Sequence, residues 1–181
     1  MKLLIASDIH GYSKYVEFLK NKVKTDKIDR VILLGDYLSY GYNREEVDED
    51  TKKTIRILNE MKSKIYIAMM GNCDSQKTKE ALDFELIEEY KMIYLDGKKV
   101  MLTHGHQYHE NNIEYMSNKP DILIHGHTHI PRILEYPEYI SLNPGSISIP
   151  RAGSRNSYML YEDRTFCIED MDGNLIKEIK I

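Results

Sequence analysis

The sequence predicts an α/β protein built in layers, a two-sheet β-sandwich with helices outside it. Three observations carry this. Short apolar runs alternate with helical patterns through the first half of the 181 residues. Beyond residue 92 the helical patterns give way to short runs broken by turn signals, Asp96-Gly97 and Asp172-Gly173 among them. The total of about ten strands is more than one open sheet usually holds, so two packed sheets are expected.

In chain order, residues 2–7 (KLLIAS) read as a buried strand. Residues 12–24 place Tyr15, Val16, Phe18, Leu19 and Val23 at helical spacing. Residues 30–34 (RVILL) form a second strand, and residues 45–62 a second helix with Thr54, Ile55, Leu58 and Met61 on one face. The acidic start of that helix (Glu45, Glu46, Asp48, Glu49, Asp50) suits the positive end of a helix dipole and reads as a solvated first turn. Residues 64–70 (KIYIAMM) are a third strand. Strand, helix, strand, helix, strand implies a parallel sheet with right-handed crossovers. Residues 92–95 and 99–103 flank Asp96-Gly97 as a hairpin, and residues 121–124 (DILI) are a short buried run. Residues 132–136, 139–142, 157–162, 165–169 and 175–180 read as antiparallel strands.

Composition bounds the function. Lys and Arg number 25 against 29 Asp and Glu, a net charge of −4, which argues against a broad basic face for long nucleic acid. Cys73 and Cys167 cannot make a disulfide framework, so a reducing compartment is expected. No apolar run approaches the length of a membrane span, and none resembles a signal peptide. The expectation is one domain over residues 1–181, cytoplasmic, with no membrane partner.

The chemistry lies at the ends of the apolar runs. They terminate in Asp8-Ile9-His10, Gly35-Asp36, Gly71-Asn72-Cys73-Asp74, His104-Gly105-His106 and His125-Gly126-His127-Thr128-His129. Five strands thus deliver Asp, His or Asn at their carboxyl ends, the edge of an α/β sheet where ligands bind. One Asp-x-His match is expected by chance about half the time and His-x-His about 0.3 times. His-x-His occurs three times here, and six of the seven histidines lie between His104 and His129. Such a cluster points to metal. Mixed carboxylate, imidazole and amide ligands suit Mn²⁺, Fe²⁺, Zn²⁺, Co²⁺ or Ni²⁺ rather than a thiolate-rich zinc site. Asp8, His10, Asp36, Asn72, His104, His127 and His129 make seven donors, more than the three or so that one catalytic ion takes from a protein. Two ions sharing a carboxylate would use them all. Paired ions about 3.5–4 Å apart suit phosphoryl chemistry, holding a hydroxide between them and clamping the attacking and leaving oxygens.

In this order the five motifs resemble the calcineurin-like metallophosphoesterase superfamily, over residues 1 to about 151. Gly71-Asn72-Cys73-Asp74 and Asn143-Pro144-Gly145-Ser146 resemble its small phosphodiesterase branch. The resemblance implies an αββα sandwich and a phosphodiesterase acting on a small substrate through two divalent ions, Mn²⁺ first among them. It implies that Asp8, His10 and His129 hold one ion, that Asn72, His104 and His127 hold the other, and that Asp36 bridges them. Asp36, Asn72, Cys73 and His104 are the catalytic candidates. Cys73 stands where many relatives have histidine. A thiol is the weaker hydrogen-bond donor, so diesters with good leaving groups are favoured over monoesters. Cys73 and Arg151 are candidates for substrate contact. Asp74, His106 and His125 are candidates for orienting the metal-bound imidazoles. His109 reads as a surface residue, and Tyr37, Tyr40 and Tyr42 as packing. The alternatives are a phosphomonoesterase or nucleotide hydrolase on the same site, and a protein-binding scaffold such as the retromer subunit that resembles this fold. The resemblance also implies self-association.

Overall fold

In the computed structural model, which describes residues 1–39, 42, 45–113 and 116–181, alternation along each strand decides which layer it feeds. In β1 (Leu3–Ala6), Leu3 and Ile5 face the space between two sheets, while Leu4 and Ala6 face helices; all four are buried. A strand covered on both faces has no polar side to show, hence the unbroken apolar run. Among the described residues the elements follow as α1 (Ser13–Thr25), β2 (Arg30–Leu33), α2 (Glu49–Glu60), β3 (Ile65–Ala68), α3 (Gln76–Ala81), β4 (Tyr90–Leu95), β5 (Lys98–Thr103) and β6 (Ile122–Ile124). The chain ends with β7 (Pro131–Glu135), β8 (Ile140–Pro144), β9 (Ser157–Glu162), β10 (Thr165–Asp170) and β11 (Leu175–Lys180).

One sheet has the order β11-β10-β9-β1-β2-β3, the other β4-β5-β6-β8-β7. β1, β2 and β3 are parallel, as strand–helix alternation predicts. Val16, Leu19 and Val23 of α1 and Ile57 and Leu58 of α2 cover the outer face of this sheet. Ile5, Ile32 and Ile67 of the first sheet meet Val100, Leu102, Ile122 and Leu142 of the second in the central core. The second sheet's outer face is covered by Ile113 and Tyr108 from the long connection after β5, packed on Met101 and Leu123.

Two expectations need correction. The second half is not antiparallel throughout: β5 pairs β6, and β6 pairs β8, in parallel register. The connection from β5 to β6 is a crossover that brings the chain back to the sheet's starting edge, and it carries no helical periodicity that would reveal it. The second helix starts at Glu49, not 45. Asp48 caps it, its carboxylate accepting from the Thr51 amide at 2.9 Å, and Glu49 and Asp50 fill the first turn. The short helix α3 carries no apolar stripe in QKTKEA, so no helical periodicity marks it in the sequence.

Candidate metal centre

Parallel β1, β2 and β3 in one sheet, and parallel β5 and β6 in the other, put five carboxyl ends on one edge of the sandwich. The backbone laces these ends together. The Asp8 amide donates to Gly35 O (3.1 Å), the His10 amide to Asp36 O (2.9 Å), and the Gly126 amide to His104 O (2.8 Å). Close approach explains two of the glycines. A Cβ on Gly71 would overlap the Asp36 carboxylate, and one on Gly126 would overlap the Ser7 hydroxyl. Five of the seven expected donors have left-handed backbone: Asp8 (φ 60°), His10 (50°), Asp36 (57°), His127 (65°) and His129 (62°). Non-glycine residues adopt this region rarely, and its concentration here marks a site that its surroundings over-determine.

The side chains converge. Ligand atoms of Asp8, His10, Asp36 and His129 all lie within 4.8 Å of one another. His129 Nε2 is 3.2 Å from Asp8 Oδ1 and 3.4 Å from His10 Nε2, which is itself 3.7 Å from Asp36 Oδ2. On the other side of Asp36, His104 Nε2 lies 3.5 Å from Asp36 Oδ2 and 3.1 Å from Asn72 Oδ1. The His127 ring stands 5.2 Å from that of His104, and its amide donates to Asp8 Oδ2 at 3.1 Å. Four of the seven expected donors thus form one tight cluster, His104 and Asn72 adjoin it through Asp36, and the His127 ring stands beside His104.

Hydrogen bonding fixes how two of the rings present themselves. His104 Nδ1 is 2.8 Å from Leu34 O, and His129 Nδ1 is 2.7 Å from Ile149 O. A carbonyl only accepts, so Nδ1 carries the proton in both rings and a neutral ring turns an Nε2 lone pair inward. There it meets oxygens that also offer only lone pairs, Asp36 and Asn72 for His104, Asp8 for His129. Lone pairs facing lone pairs call for a positive charge between them. Asp8 Oδ1, buried with no hydrogen-bond partner among the described residues, makes the same demand. This donor set fits divalent cations.

Proton affinities divide accordingly. Burial lowers the pKa of His104, but the hydrogen bond and charge of Asp36 outweigh it, and the net shift is upward. His129 rises in the same way, burial being outweighed by Asp8. His10 and His127 are lowered, by burial first. Burial would raise Asp36, but His104 holds it well below the usual carboxylate range. The same carboxylates that raise His104 and His129 would favour a cation in place of the proton.

The remaining candidates sort by contact. Asp74 touches no histidine. Its carboxylate accepts from the amides of Asp36 (2.8 Å), Gly71 (2.8 Å) and Tyr37 (3.0 Å), pinning the β2 loop to the β3 loop. Burial pushes its pKa up to about 7 against those donors. His125 likewise faces away from the cluster, toward Glu110 Oε2 (3.2 Å) and Ser141 Oγ (3.3 Å). His106 stands beside the His104 and His127 rings, at 5.4 and 6.2 Å between centroids, and pairs with Gln107 at 3.2 Å. Cys73 donates its amide to Asp36 Oδ1 at 2.8 Å, and its Sγ lies 3.5 Å from Asn72 Nδ2. Burial, then the charge of Asp36, pushes its thiol up to about 12. Arg151 is exposed; its amide donates to His129 O at 3.2 Å, and its charge opposes protonation of His129. Tyr37 is buried, its hydroxyl donating to Met69 O at 2.9 Å, and Tyr42 packs against the same core while also lining a cleft with Cys73. Tyr40 lies outside the described residues. His109 is half-buried, its amide donating to Asn112 Oδ1 at 2.9 Å.

Three residues brace the site in ways that the sequence does not specify. The hydroxyls of Ser146 and Ser148 donate to Asp8 O at 2.8 and 2.7 Å, holding the left-handed Asp8 in place. The Asn143 amide donates to Gly126 O at 2.7 Å and Thr128 Oγ1 at 3.0 Å, fixing the histidine loop. The Asn143-Pro144-Gly145-Ser146 turn signalled them, but a turn motif alone does not say what it braces.

The sequence model of the calcineurin-like phosphoesterase superfamily domain matches residues 1–165. Over 184 aligned residues the chain is 35% identical to phosphodiesterase YfcE of Escherichia coli K12, covering 100% of this chain and 98% of that protein. The solved structure of the Escherichia coli YfcE phosphoesterase superposes with a TM-score of 0.88 at 31% identity, with 100% of both chains covered. A solved archaeal phosphodiesterase has the same fold, with a TM-score of 0.66 at 23% identity and 100% of both chains covered.

Proposed function

The chain belongs to the calcineurin-like phosphoesterase superfamily, and from that premise we propose that it is a phosphodiesterase for a small substrate, working with two divalent cations. Asp8, His10 and His129 hold one cation, Asn72, His104 and His127 the other, and Asp36 contributes to both. The observation that carries the reading is the inward-facing lone pairs of His104 and His129 against Asp36, Asn72 and Asp8. Bound in such a pair, divalent cations bring the pKa of water toward neutrality and neutralise phosphate oxygens, so no separate general base is obligatory. The family resemblance puts manganese first among the candidates, and the mixed carboxylate, imidazole and amide donors suit nickel, iron, zinc and cobalt as well.

The protein's own groups do the rest. Asp36 and Asp8 supply the negative charge that gathers the cations. Asp74 and the backbone bonds around it keep Asp36 aimed. Asn72, ligating through Oδ1, keeps an N–H for a phosphate oxygen. Arg151, beside His129, takes a share of the phosphate charge through its planar fork. In the reaction water oxygen bonds to phosphorus, the ester P–O bond breaks on the opposite side, and the proton released by water neutralises the departing alkoxide. Cys73 stands next to Asn72, where the departing group would pass. Its protonated thiol is a weak donor, so diesters with acidic leaving alcohols are the better substrates. The unpaired Cys73 and Cys167 suit a reducing, cytoplasmic setting.

Hydrolysis of bis(4-nitrophenyl) phosphate with Mn²⁺ or Ni²⁺ present tests the reading. The metal-loaded chain turns it over, and Asp36→Ala reduces turnover by about a hundredfold or more, as for loss of an essential electrostatic group. Equal turnover by the two proteins would overturn it.

A further inference from the structure

A cleft of about 560 Å³ is lined by Asn72 and His106, and Gln76 divides it from a second cleft lined by Tyr42 and Cys73. Its walls are Gln76 and Lys79 of α3, Glu88, and the pair His106 and Gln107. It is polar but offers no uncommitted charge. Lys79 Nζ donates to Glu88 Oε1, which cancels both charges, and Asp74 at its floor is spent on three backbone amides. A second phosphate or a carboxylate would meet no unpaired cation among the described residues of this wall. The carboxamides remain. The Gln76 side chain makes no hydrogen bond to another described residue and is exposed. The Gln107 amide is bound to His106 Nε2 at 3.2 Å, which leaves its carbonyl oxygen and second N–H for another partner. Groups that both donate and accept, presented without net charge, match hydroxyls.

We propose that this cleft is the subsite for the retained ester arm of the substrate, and that it takes an uncharged, hydroxyl-rich alcohol such as a glyceryl or sugar unit. The assignment rests on the phosphodiesterase reading. Asn72 belongs to both the cation site and the cleft wall, so an arm lying there is attached to a phosphate held over the cations. Cys73 does not line this cleft; with Tyr42 it lines the neighbouring one across Gln76, and the leaving arm goes that way. The substrate class is therefore a diester with one polyol arm, carrying no second anionic group on that arm.

Two diesters sharing a 4-nitrophenyl leaving group test this, one with a glyceryl retained arm and one with an n-propyl arm of equal length. The leaving chemistry is common to both, so their kcat/KM ratio reads the cleft alone. The metal-loaded chain prefers the glyceryl ester by roughly fivefold, the scale of one or two net hydrogen bonds. Gln76→Ala combined with Gln107→Ala moves the ratio toward one, and calorimetry gives glyceryl phosphate the same advantage over propyl phosphate in binding. Circular dichroism on the double variant establishes that it folds. A ratio near one in the unmodified chain, with equal binding of the two phosphates, would overturn the cleft assignment and leave the phosphodiesterase reading standing. A binding preference for glyceryl phosphate without turnover of either ester would uphold the cleft and overturn the hydrolase.

Discussion

At Asp36 a single carboxylate serves both halves of the site, its Oδ2 3.7 Å from His10 Nε2 and 3.5 Å from His104 Nε2 while Oδ1 takes the Cys73 amide. His104 and His129 are raised above the ordinary histidine value because the gain from Asp36 and Asp8 exceeds the cost of burial. Each must lose a proton to bind a cation, whereas His10 and His127, lowered, are already neutral near pH 7. Protons and cations therefore compete at the raised pair, and affinity for Mn²⁺ weakens as pH falls from about 8 to about 6. Calorimetric titration across that window checks the sign; affinity that is flat or improves with acid contradicts it. Cys73 is the residue where this chain departs from many relatives. Cys73→His supplies a stronger donor for a departing alkoxide, and the ratio of 4-nitrophenyl phosphate to bis(4-nitrophenyl) phosphate turnover rises by about tenfold or more. An unchanged ratio removes Cys73 from leaving-group chemistry. The seven donors were legible in the sequence because each ends an apolar run. Asp74 and His125 were legible only as polar neighbours. Both sit beside expected donors, yet Asp74 turns to backbone amides and His125 to Glu110 and Ser141 on the outer side of the second sheet.

The elements matter through what they hold at the edge. α2 bears on the site through Thr54, whose hydroxyl donates to Gly11 O at 2.8 Å, directly after His10. Its start depends on Asp48, which accepts from the Thr51 amide at 2.9 Å and the Thr51 hydroxyl at 2.8 Å. Asp48→Ala removes the cap at a cost of about 1 kcal/mol. For a chain of this length that lowers the thermal midpoint by roughly 2–4 °C. An unchanged midpoint in differential scanning calorimetry would mean that packing against α1, not the cap, fixes where α2 begins. Strand positions were legible because β1 and β2 are apolar on both faces and two of the hairpins, β4–β5 and β10–β11, carry Asp-Gly turns. Strand direction in the second sheet was not. Periodicity reports which residues are buried and says nothing of which way a strand runs, and the connection after β5 carries no helical periodicity in its sequence. Yet His104 and His127 can share a site only if β5 and β6 end on the same edge, so the donor pattern itself implied their parallel pairing.

Across the whole molecule the site is a seam between two sheets. Asp8, Asp36 and Asn72 come from the ends of β1, β2 and β3, and His104, His127 and His129 follow β5 and β6. No single element carries the site, and its order comes from backbone bonds, buried serines and glycines that let the loops touch. The sandwich was legible from strand number and apolar pattern, and the Asp, His and Asn residues that gather at the seam from where the runs end. The bracing was not, because Ser146, Ser148 and Asn143 act on a carbonyl or a loop backbone far away in sequence. No helix among the described residues is long and apolar enough to cross a membrane. The central claim is that the seam holds two cations that share Asp36. Crystals of the chain grown with Mn²⁺, with diffraction recorded on both sides of the manganese absorption edge, test it most directly. The account predicts two anomalous peaks about 3.5–4 Å apart on either side of the Asp36 carboxylate. A single peak at saturating metal, or peaks away from Asp36, would contradict it.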